Sequence, residues 1–190
     1  MSTITPETPL AGVRSRIDRL QTPTRWFVDS AESDVEFAVR TYWGLATVRG
    51  RFERFEGTYE VGPAGTKIEL RIDADSLDTG NQTRDKHLRS DDFFGVDEHP
   101  EVRFTSTRVV HIRDGTLHVE GNLDAAGKVV PLEFDATVVQ AGAVFELETT
   151  TTVDQRQLGL SSGPFGMIRP PTTVHVRARL GGTEHAVAHR

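Results

Sequence analysis

The segment TLHVEGNLDAAGKVVPLEFDATVV, residues 116–139, alternates apolar and polar side chains on both sides of a short turn. Every second residue of 117–123 is Leu, Val or Gly, and His, Glu and Asn lie between them. Residues 132–138 alternate in the same way, and the intervening AAGK, residues 125–128, contains the glycine that hairpin turns favour. A period of two is typical of strands with one buried and one solvated face. The segment therefore predicts an antiparallel β-hairpin.

The same period continues outward along the chain. Residues 35–40, 68–73 and 174–180 also alternate, and glycine or proline residues separate the alternating segments. About eight such strands fit between residues 26 and 180, and no helical pattern alternates with them, which predicts an all-β sandwich or barrel. On the apolar phase of their strands, we expect most of the following residues to face the interior: Phe37, Val39, Phe52, Ile68, Leu70, Phe104, Leu117, Val119 and Phe134.

Composition narrows the class of protein. The 190 residues include 22 basic and 28 acidic side chains, and the net charge of −6 argues against a nucleic-acid binder, which needs a basic face. The absence of cysteine excludes disulfides and cysteine-ligated zinc or iron–sulfur sites. No apolar run approaches the roughly 18 residues that a membrane helix needs. We therefore expect a soluble protein.

The ends of the chain differ in pattern from its centre. Residues 1–24 lack the apolar core of a secretory signal, which favours a cytoplasmic location, and they predict a flexible or partly helical leader. Residues 182–190 are expected to form a frayed tail. The strand-rich domain is accordingly predicted to span residues 25–181.

The segment SLDTGNQTRDKHLRSDDFFGVDEHPEVRF, residues 76–104, interrupts the period of two. The apolar residues between positions 81 and 94 are too few and too unevenly spaced for a strand. The tripeptide TGN before them is typical of a helix start. Asp85 and Arg89 have the i,i+4 spacing of a stabilising helical pair, with the acid first. We predict a short helix over residues 82–92, inserted between two strands.

The charged residues of this helix first suggest a catalytic or metal site. His87 and Asp91 have the spacing to meet on one helical face, and Asp92 is an alternative partner, whereas Asp85 points roughly 200° away from His87. No serine occupies a strand-to-helix glycine elbow, so a hydrolase is unsupported. A metal site of His87, Asp91 and His99 matches no tight ligand spacing.

Two structural interpretations compete with catalysis. In the first, Arg84 and Arg89 pair with neighbouring aspartates and hold the helix on the sheet, while Leu88, Phe93 and Phe94 belong to an ordinary core. In the second, the helix closes one end of a barrel that its own side chains do not fill. An eight-stranded barrel is near the size at which side chains either fill the interior or leave room for one ligand.

A second apolar segment also breaks the period. QLGLSSGPFGMIRPP, residues 157–171, is rich in glycine and proline, yet it carries Phe165, Met167 and Ile168. It either covers an edge of the core or lines a ligand entrance, for which methionine is well suited. We expect this segment and the helix to border the mouth of a cavity together.

Three segments resemble the YceI-like family of polyisoprenoid-binding, lipocalin-like proteins. FAVRTYWGLATVRGRFERFEG, residues 37–57, resembles the opening strands of that family; residues 76–106 resemble its central signature; and VEGNLDAAGKVVPLEF, residues 119–134, resembles its later hairpin. The resemblance extends from about Trp26 to Leu180. It implies an extended antiparallel eight-stranded β-barrel with one inserted helix and an apolar tunnel. One departure is Thr41, where the family commonly has histidine.

The resemblance also implies a function. It implies a non-enzymatic protein that sequesters or carries a long-chain isoprenoid, of the polyprenyl or isoprenoid-quinone type, or an acyl amphiphile, with no cofactor, no metal and no nucleic acid. The resemblance also implies a possible homodimer. An enzyme that modifies such a lipid through His87, and a filled barrel with a role in stress response, stay as alternatives. The residues expected to contact the lipid are the nine interior residues above together with Leu88, Phe93, Phe94, Phe165, Met167 and Ile168; those expected at an anionic head group are Arg84, Arg89 and Arg169.

Overall fold

A computed structural model of the chain describes residues 24–41, 46–113, 115–160 and 169–182, without the side chains of Thr41, Arg169 and Pro170. The described residues contain one α-helix, α1, Gln82–Arg89, and the following strands: β1 Thr24–Val28, β2 Asp34–Thr41, β3 Ala46–Phe52, β4 Phe55–Gly62, β5 Gly65–Asp73, β6 Leu77–Asp78, β7 Glu101–Arg113, β8 Thr116–Ala125, β9 Lys128–Ala141, β10 Val144–Val153 and β11 Arg169–Gly181. The expected leader and tail lie almost wholly outside the described residues.

Eight of these strands form a closed antiparallel barrel. They are hydrogen-bonded in the order β1, β4, β5, β7, β8, β9, β10 and β11, and the pairing of β1 with β11 closes the ring. The remaining strands β2, β3 and β6 extend the same sheet from β11. The predicted eight-stranded β-barrel with an inserted helix is therefore confirmed.

β1 and β2 behave as one long bent strand, because both pair with β11. A single 3-10 turn, Ser30–Glu32, makes the bend, and the side chain of Asp29 caps it by accepting a hydrogen bond from the Ala31 amide. The Ser33 hydroxyl fixes the bend to the barrel: it donates to the Asp29 carbonyl at 2.6 Å and accepts from the Arg179 amide at 2.9 Å. The bend lets the chain change direction between β1 and β2 while both strands stay paired with β11.

The barrel interior contains two apolar clusters. One surrounds Tyr59, Leu117 and Val119, and the other combines strand residues with Leu158 and Leu160 from the segment after β10. Leu117 and Val119 are fully buried, as expected from their strand phase. Burial raises the pKa of Tyr59 because the phenolate would lose its hydration, and a hydrogen bond with Thr66 offsets part of the increase.

Helix α1 begins where the sequence predicts and ends earlier. The Asn81 side chain caps it by accepting a hydrogen bond from the Arg84 amide at 3.0 Å. Both the amide and the hydroxyl of Ser90 donate to the His87 carbonyl, and the Ser90 backbone is extended. The predicted end at residue 92 is therefore wrong, because the chain leaves the helical conformation at Ser90, and the last carbonyls of the helix accept from Ser90, Phe94 and Val96 instead.

Candidate functional site

A cavity of about 840 Å³ occupies the barrel interior. Apolar side chains from the strands form most of its wall, and Leu88, Phe93 and Phe94 from α1 and the following turn complete it. This volume lies within the range of roughly 300–1,000 Å³ of small-molecule sites. The residues predicted for the interior that line it are Phe37, Val39, Phe52, Ile68, Leu70, Phe104 and Phe134.

Leu117 and Val119 are buried but are not among the residues that line the cavity. Both belong to the cluster around Tyr59, where aromatic rings pack edge to face: the ring centroids of Trp26 and Phe145 are 4.7 Å apart. Strand phase correctly predicted that both side chains are buried, but it carries no information on which buried residues border the cavity.

A row of phenylalanine rings forms the wall near α1. Phe37 and Phe52 lie 5.6 Å apart between ring centroids, Phe52 and Phe94 lie 6.3 Å apart, and Phe93 lies 5.2 Å from Phe94. Gly50 makes room for this row, since a Cβ at that position would lie 2.4 Å from the Phe37 ring. The turn after α1 directs its two rings inward through the Phe94 amide, which donates to the Leu88 carbonyl at 3.0 Å.

Polar side chains of α1 line one part of the cavity, namely those of Asn81, Thr83, Arg84 and His87. Arg84 is positioned by Thr79: its Nε donates to the Thr79 hydroxyl at 2.7 Å and its Nη2 donates to the Thr79 carbonyl at 2.9 Å. The same hydroxyl donates to the buried carboxylate of Asp85, which also accepts from the Thr79 amide at 3.1 Å. These contacts fix a guanidinium group beside an apolar cavity.

Arg89 lies elsewhere, on the outside of the barrel. Its Nε donates to the Asp75 carbonyl at 2.9 Å and lies 3.0 Å from the Asp75 carboxylate, and its Nη2 donates to the Leu77 carbonyl. These contacts replace the predicted helical pair of Asp85 with Arg89. The side chain lines a separate polar depression with Glu53 and Arg54, so the structure places it away from the cavity.

Three of the predicted entrance residues, Phe165, Met167 and Ile168, lie outside the described residues. Arg169 is described in its backbone only, where it pairs with Arg40 of β2. Leu158 and Leu160, in the described beginning of the segment 158–171, line the cavity, and the prediction that the segment borders its mouth stays a prediction.

The cavity wall also carries a polar group that was not predicted from the sequence. It consists of Thr149 and Thr151 on β10, Gln155 in the next turn and Thr172 on β11. The alternation of residues could have predicted that the two threonines of β10 face the interior, since the period of two gives them the same face as Leu147 and Val153. Gln155 follows the end of the strand, where alternation no longer predicts a direction.

His87 and the charged residues near it were one candidate for a metal site. Within the part of the chain that the structure describes, no group of three or more His, Asp or Glu side chains could hold a metal ion. His87 lines the cavity beside Asn81, Thr83 and Arg84, at one side of a wall that is otherwise mainly apolar.

A closed barrel around an apolar cavity defines the class of hollow β-barrel proteins, which have room for an elongated ligand. Residues 26–180 match the YceI-like domain, and the chain belongs to this family. The UPF0312 protein of Pectobacterium atrosepticum is 33% identical over 142 residues, 68% of this chain and 72% of that protein. The UPF0312 protein of Vibrio campbellii is 36% identical over 115 residues, 59% of this chain, and the match spans only 60% of that protein.

Solved structures of other proteins have the same fold. BcnA of Burkholderia cenocepacia superposes with a TM-score of 0.74 at 20% identity, over 80% of this chain and 98% of that chain. A polyisoprenoid binding domain from Saccharophagus degradans, implicated in plant cell wall breakdown, superposes with a TM-score of 0.69 at 17% identity, over 85% and 100% of the two chains. Among the described residues, no helix has both the length and the apolar character to cross a membrane.

Proposed function

We propose that this protein binds one long-chain, mainly apolar molecule, a polyprenyl or acyl lipid, in the barrel cavity and keeps its chain out of water. The observation that supports the proposal is the cavity of about 840 Å³ with a largely apolar wall. The family, and the polyisoprenoid binding domain from Saccharophagus degradans with the same fold, point to the same ligand class.

Hydrophobic transfer alone supplies the affinity that such a site needs. Each methylene moved from water into an apolar site contributes about 0.8 kcal/mol, so ten of them contribute on the order of 8 kcal/mol. A dissociation constant near 1 μM corresponds to a similar free energy, before the cost of immobilising the chain. No reactive group is required for this function, and the proposed role is sequestration or carriage of an unchanged lipid.

Arg84 is the group best suited to an anionic head group. Its Nε and Nη2 bond to Thr79, and it lines the cavity beside His87, without an acidic partner among the described residues. An arginine fork binds phosphate through charge-assisted hydrogen bonds. Arg89, which earlier shared this assignment, is proposed as a structural residue because it bonds to backbone carbonyls outside the cavity.

The direct test fills the cavity from inside. Val48 of β3 lines the cavity, whereas its neighbour Thr47 is exposed on the outer face. We expect Val48→Trp to reduce the amount of lipid retained by at least about tenfold, since the indole takes the volume of the chain, and Thr47→Trp to retain the wild-type amount. The measurement is native mass spectrometry of each protein purified from its own host, with lipid extraction and identification.

Two outcomes would contradict the proposal. The first is a wild-type protein that carries no long-chain passenger and fails to bind added farnesol or oleic acid. The second is chemical conversion of a bound lipid, detected as a mass change of the extracted ligand during incubation and lost in His87→Ala. The second outcome would favour a lipid-modifying enzyme.

A further inference from the structure

We propose that Gln155 and Thr151 form a hydrogen-bonding subsite within the cavity, which selects ligands that carry a neutral carbonyl group on the long chain. The inference rests on the proposed function and deepens it, because it names a chemical feature of the ligand besides its apolar chain. It concerns the wall between β9 and β10.

The barrel wall loses its continuous hydrogen bonding at this position. The ladder between β9 and β10 extends from Val144↔Ala141 to Thr149↔Ala136, whereas β10 remains paired with β11 as far as Val153↔Thr172. The first half of β9 pairs with β8 over the same region. Beyond Thr149, β9 and β10 therefore diverge, and a seam opens between them on the cavity wall.

Residues 154–160 cover this seam. On one side the Thr172 hydroxyl of β11 donates to Gln155 Oε1 at 3.1 Å. On the other side the segment approaches β9 so closely that a Cβ on Gly159 would lie 2.7 Å from Lys128 Nζ. Leu158 and Leu160 pack into the apolar cluster that includes Val130. The seam is thus sealed by side chains, and Gln155 is the polar one among them.

The amide nitrogen of Gln155 opens onto the cavity. The residue is only 4% exposed and lines the cavity, and its oxygen is the end that bonds to Thr172. No residue that the structure describes accepts a hydrogen bond from its Nε2. Every fully buried side-chain nitrogen and oxygen in the described part of the chain has a partner, so an amide nitrogen without one is not fully buried. Because the Gln155 side chain lines the cavity, we infer that its amide nitrogen is reached from there. An amide N–H in an apolar environment strongly favours an oxygen acceptor.

Thr151 provides a second donor on the same wall. It lies opposite Val174 on the inward face of β10, and its side chain lines the cavity. The hydroxyl proton of its neighbour Thr149 is already used in a hydrogen bond, since this hydroxyl donates to the Asp135 carbonyl at 2.7 Å. The proposed subsite therefore combines the amide N–H of Gln155 with the hydroxyl of Thr151.

The surroundings of the subsite select a neutral ligand group. Its neighbours on the wall, among the residues that the structure describes, are Thr149, Thr172, Leu158 and Leu160, none of which is charged. A carboxylate or phosphate placed there would lose its hydration without gaining a counter-charge from these neighbours, which is costly. A carbonyl oxygen of a ketone, quinone or ester accepts a hydrogen bond from such a donor at a much smaller cost. The subsite thus differs in kind from Arg84, which suits an anion.

The test compares two ligands that differ in one group: farnesylacetone and the hydrocarbon in which a methylene replaces its carbonyl. We expect wild-type protein to bind the ketone about fivefold to tenfold more tightly, the effect of one or two hydrogen bonds. In Gln155→Met, which keeps the length of the side chain, and in Thr151→Val, which keeps its shape, the preference should fall towards parity. The hydrocarbon should bind these variants at least as tightly as it binds the wild-type protein.

The chain supplies matched controls at exposed positions. Gln157→Met makes the same chemical change as Gln155→Met two residues away, and Thr152→Val makes the same change as Thr151→Val one residue away. Both control positions are exposed, so both variants should keep the full preference for the ketone. Because Gln155→Met leaves the Thr172 hydroxyl without its acceptor and could impair folding, the infrared carbonyl frequency of ketone bound to wild-type protein provides a second readout. Hydrogen bonding should lower it relative to the ketone in hexadecane.

Each outcome either supports the subsite or overturns it. Equal wild-type affinity for both ligands, or an unshifted carbonyl frequency, overturns the subsite and leaves the proposed function intact. A preference that the two control variants lose as readily as Gln155→Met also overturns it. Failure of the wild-type protein to bind either ligand contradicts the proposed function itself, so the two failures are distinguishable.

Discussion

At the scale of single residues, glycine determines where the bulky rings of the interior lie. Gly50 and Gly121 occupy inward-facing positions of β3 and β8. A Cβ on Gly121 would lie 2.5 Å from both the Phe104 ring and the Thr105 carbonyl oxygen, closer than any normal contact. Because Gly121 has no side chain, the Phe104 ring can lie over the neighbouring strand. Its centroid is 5.3 Å from that of the tilted Phe134 ring, and both residues line the cavity.

Substitution of this glycine tests that packing. We expect Gly121→Ala to lower the free energy of unfolding by about 1–3 kcal/mol, as overpacking usually does, because the Thr105 carbonyl is backbone and cannot turn aside. Gly181→Ala is the matched control: Gly181 has no atom within 4 Å of a Cβ position, so its free energy of unfolding should stay within about 0.5 kcal/mol. Urea unfolding followed by tryptophan fluorescence measures both. Equal stability of the two variants would show that the interior adapts freely around residue 121.

At the scale of elements, α1 is held on the barrel by two arginines with different tasks. Arg89 bonds to the carbonyls of Asp75 and Leu77, just before and within β6, and so joins the end of the helix to the sheet. Arg84 bonds to Thr79, three residues before the first residue of the helix, and lines the cavity. Sequence spacing alone gave both residues the same role, because it did not reveal which side of the short helix faces the cavity.

Matched substitutions separate the two tasks. We expect Arg89→Gln to lower the free energy of unfolding by about 1–2 kcal/mol, since charge-assisted bonds to carbonyls are lost at a partly exposed site. Arg84→Gln should cost less stability and should weaken binding of farnesyl phosphate more than binding of farnesol. Denaturation and fluorescence displacement with both ligands supply the readouts. The assignment of Arg84 to the head group would be abandoned if the two variants weakened both ligands equally.

The elements also show what the sequence could and could not predict. Alternation located the strands, and Asn81 correctly marked the start of α1, because these signals depend on neighbouring residues only. The seam between β9 and β10 was not predictable, since it depends on where a ladder between two distant segments ends after Thr149. Gln155 was missed for the same reason: its position beside the cavity comes from its bond to Thr172, seventeen positions further along the chain.

At the scale of the whole molecule, the barrel combines packed apolar clusters with an open cavity. The aromatic rings of Trp26, Tyr59 and Phe145 pack together, with centroid distances of 4.7–5.8 Å. Phe93 and Phe94 contact the second cluster, which contains Leu158 and Leu160. The inward side chains leave a cavity of about 840 Å³ unfilled. The alternation of residues predicted a barrel, but the remaining space depends on barrel curvature, which is set by the pairing of all eight strands.

A hollow barrel should gain stability from its passenger. A ligand that binds only the folded state stabilises it by RT ln(1 + [L]/Kd), about 2.7 kcal/mol when the free ligand is at 100 times Kd. We therefore expect protein stripped of lipid by solvent extraction or unfolding to melt several degrees lower than protein as purified, and refilling with its extracted lipid to restore the melting temperature. Val48→Trp, whose indole would occupy the cavity, should melt at the same temperature before and after stripping. Differential scanning calorimetry of the stripped, refilled and variant proteins measures these melting temperatures. If stripping leaves the melting temperature of the wild-type protein unchanged, the cavity holds no passenger that binds tightly enough to stabilise the fold.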